Sequence, residues 1–200
     1  DSIESGIAGR EYGTYIPQRR WYQAIAALNQ ALTIEPDNAR TRLQLYNFYL
    51  QRRKLDLALR EYEAFERLTA DRPAADESEQ RSRDAIAREG DQLRRLVDQF
   101  TESVNRSMAS GTFDRLQASQ QIYQSGYVLL ALQIIENDSE YLNRSLPAQL
   151  QQAVLLMEAG QFERSLEVLE RLQGASSKLG DTGWRTPKAL ALLGNGNYRE

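Results

Sequence analysis

The chain has 200 residues, 41% apolar and 26% charged, with a formal net charge of −3, the composition of an ordinary soluble globular protein. It contains neither His nor Cys, which excludes imidazole acid–base catalysis, thiol nucleophiles, disulfides and zinc sites built on nitrogen or sulfur ligands. Its 25 basic residues face 28 Asp and Glu, so the chain lacks the basic excess on which phosphate-contacting nucleic-acid binders rely.

The absence of cysteine leaves the compartment open, cytoplasm or periplasm. The longest apolar run, Tyr127 to Leu132, is far shorter than the roughly 20 residues of a membrane span. Short basic clusters at Arg19-Arg20, Arg52-Arg53-Lys54 and Arg94-Arg95 read as solvated turn or helix-face charges.

Along the chain nearly every long stretch carries a helical period and almost none alternates as a half-buried strand does, so the fold class is all-α. Breaks fall at Glu35-Pro36-Asp37, Asp71-Arg72-Pro73, Ser110-Gly111-Thr112, Ser145-Leu146-Pro147, Gly174 to Gly183 and Gly194-Asn195-Gly196. Their even spacing calls for a search for repeats. Tyr15, Trp21, Ala24, Leu28 and Ala31 recur at one fixed interval as Tyr49, Leu55, Ala58, Tyr62 and Phe65. Ile122, Val128, Ala131 and Ile135 recur after the same interval as Leu156, Phe162, Ser165 and Leu169. The step between the two series, from Tyr49 to Ile122, is slightly more than two such intervals and leaves room for one further unit. The chain thus divides into about five and a half units, near 5–38, 39–73, a degenerate 74–111, 112–145, 146–181 and a truncated 182–200.

Each unit reads as two helices around a short turn. In the second, the spacing predicts helices over Ala39 to Gln51 and Leu55 to Thr69 around Arg52-Arg53-Lys54. The small residues Ala24, Ala58, Ala131 and Ser165 sit near the start of each second helix, where close approach of two axes requires them. Gly126 and Gly160 occupy turns that call for positive φ. Segment 76–109 fits badly. It is expected to form a distorted pair turning near Gly90 or, less favoured, one long helix, with Asp76 and Glu79 capping its start. Thr186-Pro187 reads as an N-cap followed by proline at the first helical position.

These residues carry a resemblance to the tetratricopeptide repeat family, whose helix–turn–helix of about 34 residues has the pattern W-x2-L-G-x2-Y, A-x3-F, P. Trp21-Tyr22-Gln23-Ala24-Ile25 and Ala31 to Pro36 match it closely, and Gly160 to Leu166 and Gly194 to Glu200 resemble the turn and second-helix start. Tyr12 and Tyr46 depart from it, standing where the family places Gly or Ala. The resemblance implies a right-handed α-solenoid of stacked antiparallel helix pairs, with first helices lining a concave groove that binds a partner protein's peptide or helix. The inward residues would be Arg40, Leu43, Asn47 and Leu50, then Leu116, Gln120 and Tyr123, then Leu150, Val154 and Met157. Such a lining, mostly apolar with a few amides, suits an amphipathic helix or an apolar extended segment; the competing reading is that these residues simply pack against neighbouring helices. The family's clamp for the C-terminal carboxylate of chaperone peptides, built from Lys, Asn and Arg, is rejected, because the comparable places hold Gly9, Gly13, Leu43 and Gln44 and only Asn47 is of the right type.

No phosphate-cradling loop or Asp-rich cation loop is present in the sequence. The acid pairs Glu61/Glu63, Asp76/Glu77 and Glu167/Glu170 read as solvated helix faces. Three Asn-x-Ser acceptor patterns, at Asn105, Asn137 and Asn143, are attributed to chance. The expectation is a non-enzymatic interaction scaffold without cofactor, metal or nucleic acid. The alternative is a periplasmic repeat scaffold of a bacterial exopolysaccharide-export or outer-membrane assembly machine. RNA reading by related pentatricopeptide repeats is disfavoured by the net acidity. Because Glu200 falls inside a unit, the natural protein is expected to continue there, or another chain, including a second copy, to cover that end.

Overall fold

The structure is a computed structural model that describes residues 20–109, 114–175 and 185–194. Expectations involving Gly9, Tyr12, Gly13, Tyr15, the Ser110 to Thr112 break, residues 176–183 and everything from Asn195 onward lie outside them.

The described residues form helices and turns, with no strand among them. The first described helix, α1, includes residues 20–34. It is followed by α2 (Ala39–Gln51), α3 (Leu55–Thr69), α4 (Glu77–Ala109), α5 (Arg115–Gln124), α6 (Val128–Glu136), α7 (Ser139–Arg144), α8 (Leu146–Glu158), α9 (Phe162–Ala175) and α10 (Arg185–Gly194). The starts of many helices are fixed by short polar side chains that satisfy otherwise orphaned amides. Asn38 accepts from Thr41 N, Asp114 from Leu116 N and Gln117 N, Asp138 from Tyr141 N and Ser145 from Ala148 N. Asp76 accepts from Glu79 N at 2.8 Å, and Glu79 reaches back to Ala75 N at 2.7 Å, so the expected cap forms. By contrast, α10 starts at Arg185, not at Pro187. Proline is tolerated as its third residue because first-turn amides have no intrahelical partner anyway.

Helices α2 and α3, α5 and α6, and α8 and α9 pack as consecutive pairs around three-residue turns. At the crossing of α5 and α6, Ser119 Oγ donates to the Ala131 carbonyl at 3.0 Å. One repeat further on, between α8 and α9, Ser165 Oγ donates to the Ala153 carbonyl at 2.8 Å. All four residues are fully buried. The two sites are the same crossing with Ser and Ala exchanged between the helices. Both solutions keep the side chains small enough for close axial approach and satisfy the only hydroxyl they bury. The corresponding pair in α2 and α3 is Tyr46 and Ala58, also buried.

The turns repeat as well. Gly126 and Gly160 have φ of 97° and 77°, and Arg53, at the equivalent place between α2 and α3, has φ of 55°. A non-glycine residue in this left-handed region carries backbone strain of about 1–2 kcal/mol.

Segment 77–109 is one continuous 33-residue helix, which corrects the favoured expectation of a pair turning at Gly90. Gly90 is buried mid-helix, where an added Cβ would overlap the Tyr62 ring. Its missing side chain thus serves close approach to α3 and makes no turn. Leu93 and Val97 are buried on the same face, and further along Phe100 stacks on Tyr127 with centroids 3.9 Å apart. Helix α4 therefore runs from α3 to the start of α6.

Replacing a helix pair by one helix lets the second unit meet the fourth directly. Leu55 N donates to the Gly126 carbonyl at 2.8 Å, and α3 packs on α6. From there the packing follows chain order: α6 on α8, α8 on α9, α9 on α10. The chain also folds back, because α1 meets both α2, where Trp21 stacks on Phe48, and the start of α9, where Tyr22 packs edge-on to Phe162. Stacks in which each unit touches only its neighbours do not make such a contact.

Candidate functional site

The sequence places ten residues on a concave face, and they occupy different environments. Arg40, Asn47 and Gln120 are exposed; Leu43, Leu50, Leu116, Tyr123, Leu150 and Val154 are half-buried. Met157, at 2% exposure, belongs to the core and offers no surface. Their helices α5 and α8 pack side by side, whereas α2 reaches this group through its C-terminal turn. Leu43, Leu50, Tyr123 and Leu150 pack partly against the core while keeping some accessible area.

At the convergence of these helix ends lies a polar knot. Glu158, the last residue of α8, is 8% exposed. Its Oε1 accepts from Tyr22 Oη at 2.8 Å and from Tyr123 Oη at 3.1 Å. Its Oε2 lies 3.2 Å from the Lys54 ammonium but has no aligned hydrogen-bond donor, and Lys54 sits over the Tyr123 ring, 4.0 Å from its centroid. One carboxylate thus ties α1, the α2–α3 turn and α5 to α8. Burial first, and then the adjacent carboxylate, pushes the Tyr22 and Tyr123 phenols well above their usual range. They remain protonated donors at neutral pH, so the knot is suited to holding helices and not to proton transfer. The sequence does contain a signal for it: Glu158 interrupts the apolar run from Ala153 to Ala159, and a carboxylate there requires partners.

Two further buried acids are structural. Asp56 accepts from Val128 N (2.9 Å), Leu129 N (2.6 Å) and Leu130 N (3.1 Å), capping α6 from the neighbouring unit. Burial raises its pKa, and the backbone amides around it partly offset that rise. Glu61, expected on a solvated face, is 1% exposed and pairs with Arg42 and Arg60 at 2.8 Å each. The physical reason is that α2 lies over this face of α3 and brings Arg42 onto the Glu61 carboxylate. Likewise Lys54 and Arg94 are engaged in ion pairs, Arg94 with Glu63, Glu66 and Asp91.

A cleft of about 770 Å³ separates α1 from the α8–α9 turn, with Gln23, Gln30 and Thr33 on one wall and Gln161 and Arg164 on the other. Asn29 Nδ2 bridges it to the Gly160 carbonyl at 3.4 Å. No group of three or more acidic side chains that could hold a metal ion occurs among the described residues, and no described helix is long and apolar enough to cross a membrane. No family model matches the chain, and neither a curated protein nor a solved structure matches it.

Proposed function

We propose that the chain is a tetratricopeptide-like repeat scaffold, a right-handed solenoid in its regular part, that binds an apolar or amphipathic segment of a partner protein along the first helices of its units. The observation that carries this reading is the exchanged crossing, in which the Ser119/Ala131 pair recurs one repeat later as Ala153/Ser165, the mark of one helix-pair unit used twice. The packing of α6, α8, α9 and α10 in chain order agrees with it. The surface assigned to the partner consists of half-buried Leu43, Leu50, Leu116, Leu150 and Val154 among exposed Asn47 and Gln120. Partly exposed aliphatic side chains separated by amides fit a helix laid in a groove, read at every third or fourth residue.

Selection from a random-peptide library on the immobilised chain tests this. Apolar or amphipathic peptides should be enriched, and their retention should fall by about tenfold or more in Leu43→Asp/Leu50→Asp. Because these leucines also touch the core, Asn47→Arg/Gln120→Arg on exposed positions provides the matching loss without a stability penalty. Helical circular dichroism should stay unchanged. The absence of any enriched class, or enrichment indifferent to all four changes, would overturn the assignment.

A further inference from the structure

The sequence segregates charge in a way its net value hides. Residues 12–34 and 38–55 contain seven basic residues and no Asp or Glu, although the whole chain is net negative. In the structure their described residues, 20–34 and 38–55, include α1, α2 and the α2–α3 turn. Two of the cations are consumed internally, Arg42 by Glu61 and Lys54 by Glu158. Arg20, Arg52 and Arg53 are exposed where the Arg20 end of α1 meets the end of α2, and among the described residues none of them has a carboxylate partner. The guanidinium of Arg52 lies over the Trp21 ring, 4.7 Å from its centroid, an arrangement that fixes the cation in place. The exposed neighbours Gln51, Gln124 and Ser125 are polar and uncharged.

An independent observation singles out the same spot. At the turn position where the fourth and fifth units use Gly126 and Gly160, this unit keeps Arg53 in the left-handed conformation at φ 55°. Glycine would relieve the strain, and strain retained against an easy alternative clusters at functional positions.

We infer that this end of the molecule is a second interaction surface, which docks an acidic, Asp- or Glu-rich segment of a partner protein. Arginine forks pair with carboxylates in a bidentate manner. Three guanidinium groups are too few to track a nucleic-acid backbone through salt, yet they suffice for a short acidic peptide. The surface uses none of the ten residues assigned to the concave face and does not depend on the reading given to them.

The test is fluorescence anisotropy of a labelled Asp/Glu-rich dodecapeptide at low salt, alongside its Asn/Gln counterpart, a single-stranded RNA oligonucleotide and phosphatidylserine vesicles. Saturable binding of the acidic peptide is expected, with none of the amide version. Arg52→Gln/Arg53→Gln should weaken it by about tenfold or more. Arg53→Gly should weaken it while raising thermal stability, and Arg53→Lys, which keeps the charge but loses the fork, should weaken it less than Arg53→Gly. Three results would each overturn the inference: no saturable binding of the acidic peptide, binding indifferent to the double substitution, or binding of RNA or vesicles at least as tight. Library peptides held by the concave face should be unaffected by the arginine changes, so failure of one surface is distinguishable from failure of the other.

Discussion

The part of the molecule from α5 to α10 and the part from α1 to α4 are written in the same repeat period, yet they pack differently. In the first, each crossing is made by two small residues, Ser119 with Ala131 and Ala153 with Ser165, and the helices stack in chain order. In the second, Tyr46 stands opposite Ala58, its ring 5.9 Å from that of Tyr62. The partner beyond is a single helix that presents Gly90 to the Tyr62 ring. The two serine–alanine crossings leave the bulk to the next layer, whereas between α2 and α3 the bulk of Tyr46 packs on Tyr62, whose ring Gly90 of α4 admits.

The seam between the two parts should be the most sensitive place. Glu158→Ala removes the acceptor of two phenols and the partner of Lys54, and should cost about 3 kcal/mol by urea unfolding; a loss below that of an ordinary surface change would mean that the knot is incidental. Next comes the turn that repeats across the seam. Gly126→Ala forces a Cβ against the Arg53 carbonyl in a left-handed conformation and should cost about 2 kcal/mol. Arg53→Gly relieves strain at the equivalent position and should gain about 1 kcal/mol, so opposite changes at equivalent turn positions are predicted to act with opposite sign.

Gly90→Ala sharpens the contrast within α4. In an unencumbered helix interior this change stabilises by about 1 kcal/mol; against the Tyr62 ring it should instead destabilise by about 1–2 kcal/mol. A stabilised variant would show that the helices do not approach as closely as described. The smallest expected effect lies in the regular part. Ser119→Ala leaves the crossing small but removes the hydrogen bond to Ala131, a loss of about 1 kcal/mol in thermal or urea unfolding.

What the sequence made legible was local. The helices α2 and α3 begin and end where periodicity and caps place them, Gly126 and Gly160 adopt positive φ, and Asp76 and Glu79 cap α4. Each is decided within a few residues. The unbroken course of α4 was not legible in this way. Gly90 has the same identity whether it turns the chain or admits a ring, and only Tyr62, on the neighbouring helix α3, decides. The burial of Glu61 and Glu158 depends on partners remote in the chain, Arg42 for the first and Tyr22 for the second. The concave face shows the same limit, since a helical period identifies Met157 as apolar without saying that α8 turns it inward.

The central structural claim is that one long helix replaces a pair, so that the turn of the second unit docks directly on that of the fourth. Native cysteines are absent, which makes a cysteine pair unambiguous. In Arg53→Cys/Ser125→Cys the two thiols sit on adjoining turns, since a Cβ at Gly126 would touch the Arg53 carbonyl. A short bismaleimide with a reach of roughly two residues should link them within one chain in high yield, and unfolding in urea should abolish the link. Failure to cross-link in the folded protein, with each thiol individually reactive, would contradict the docking of the two turns.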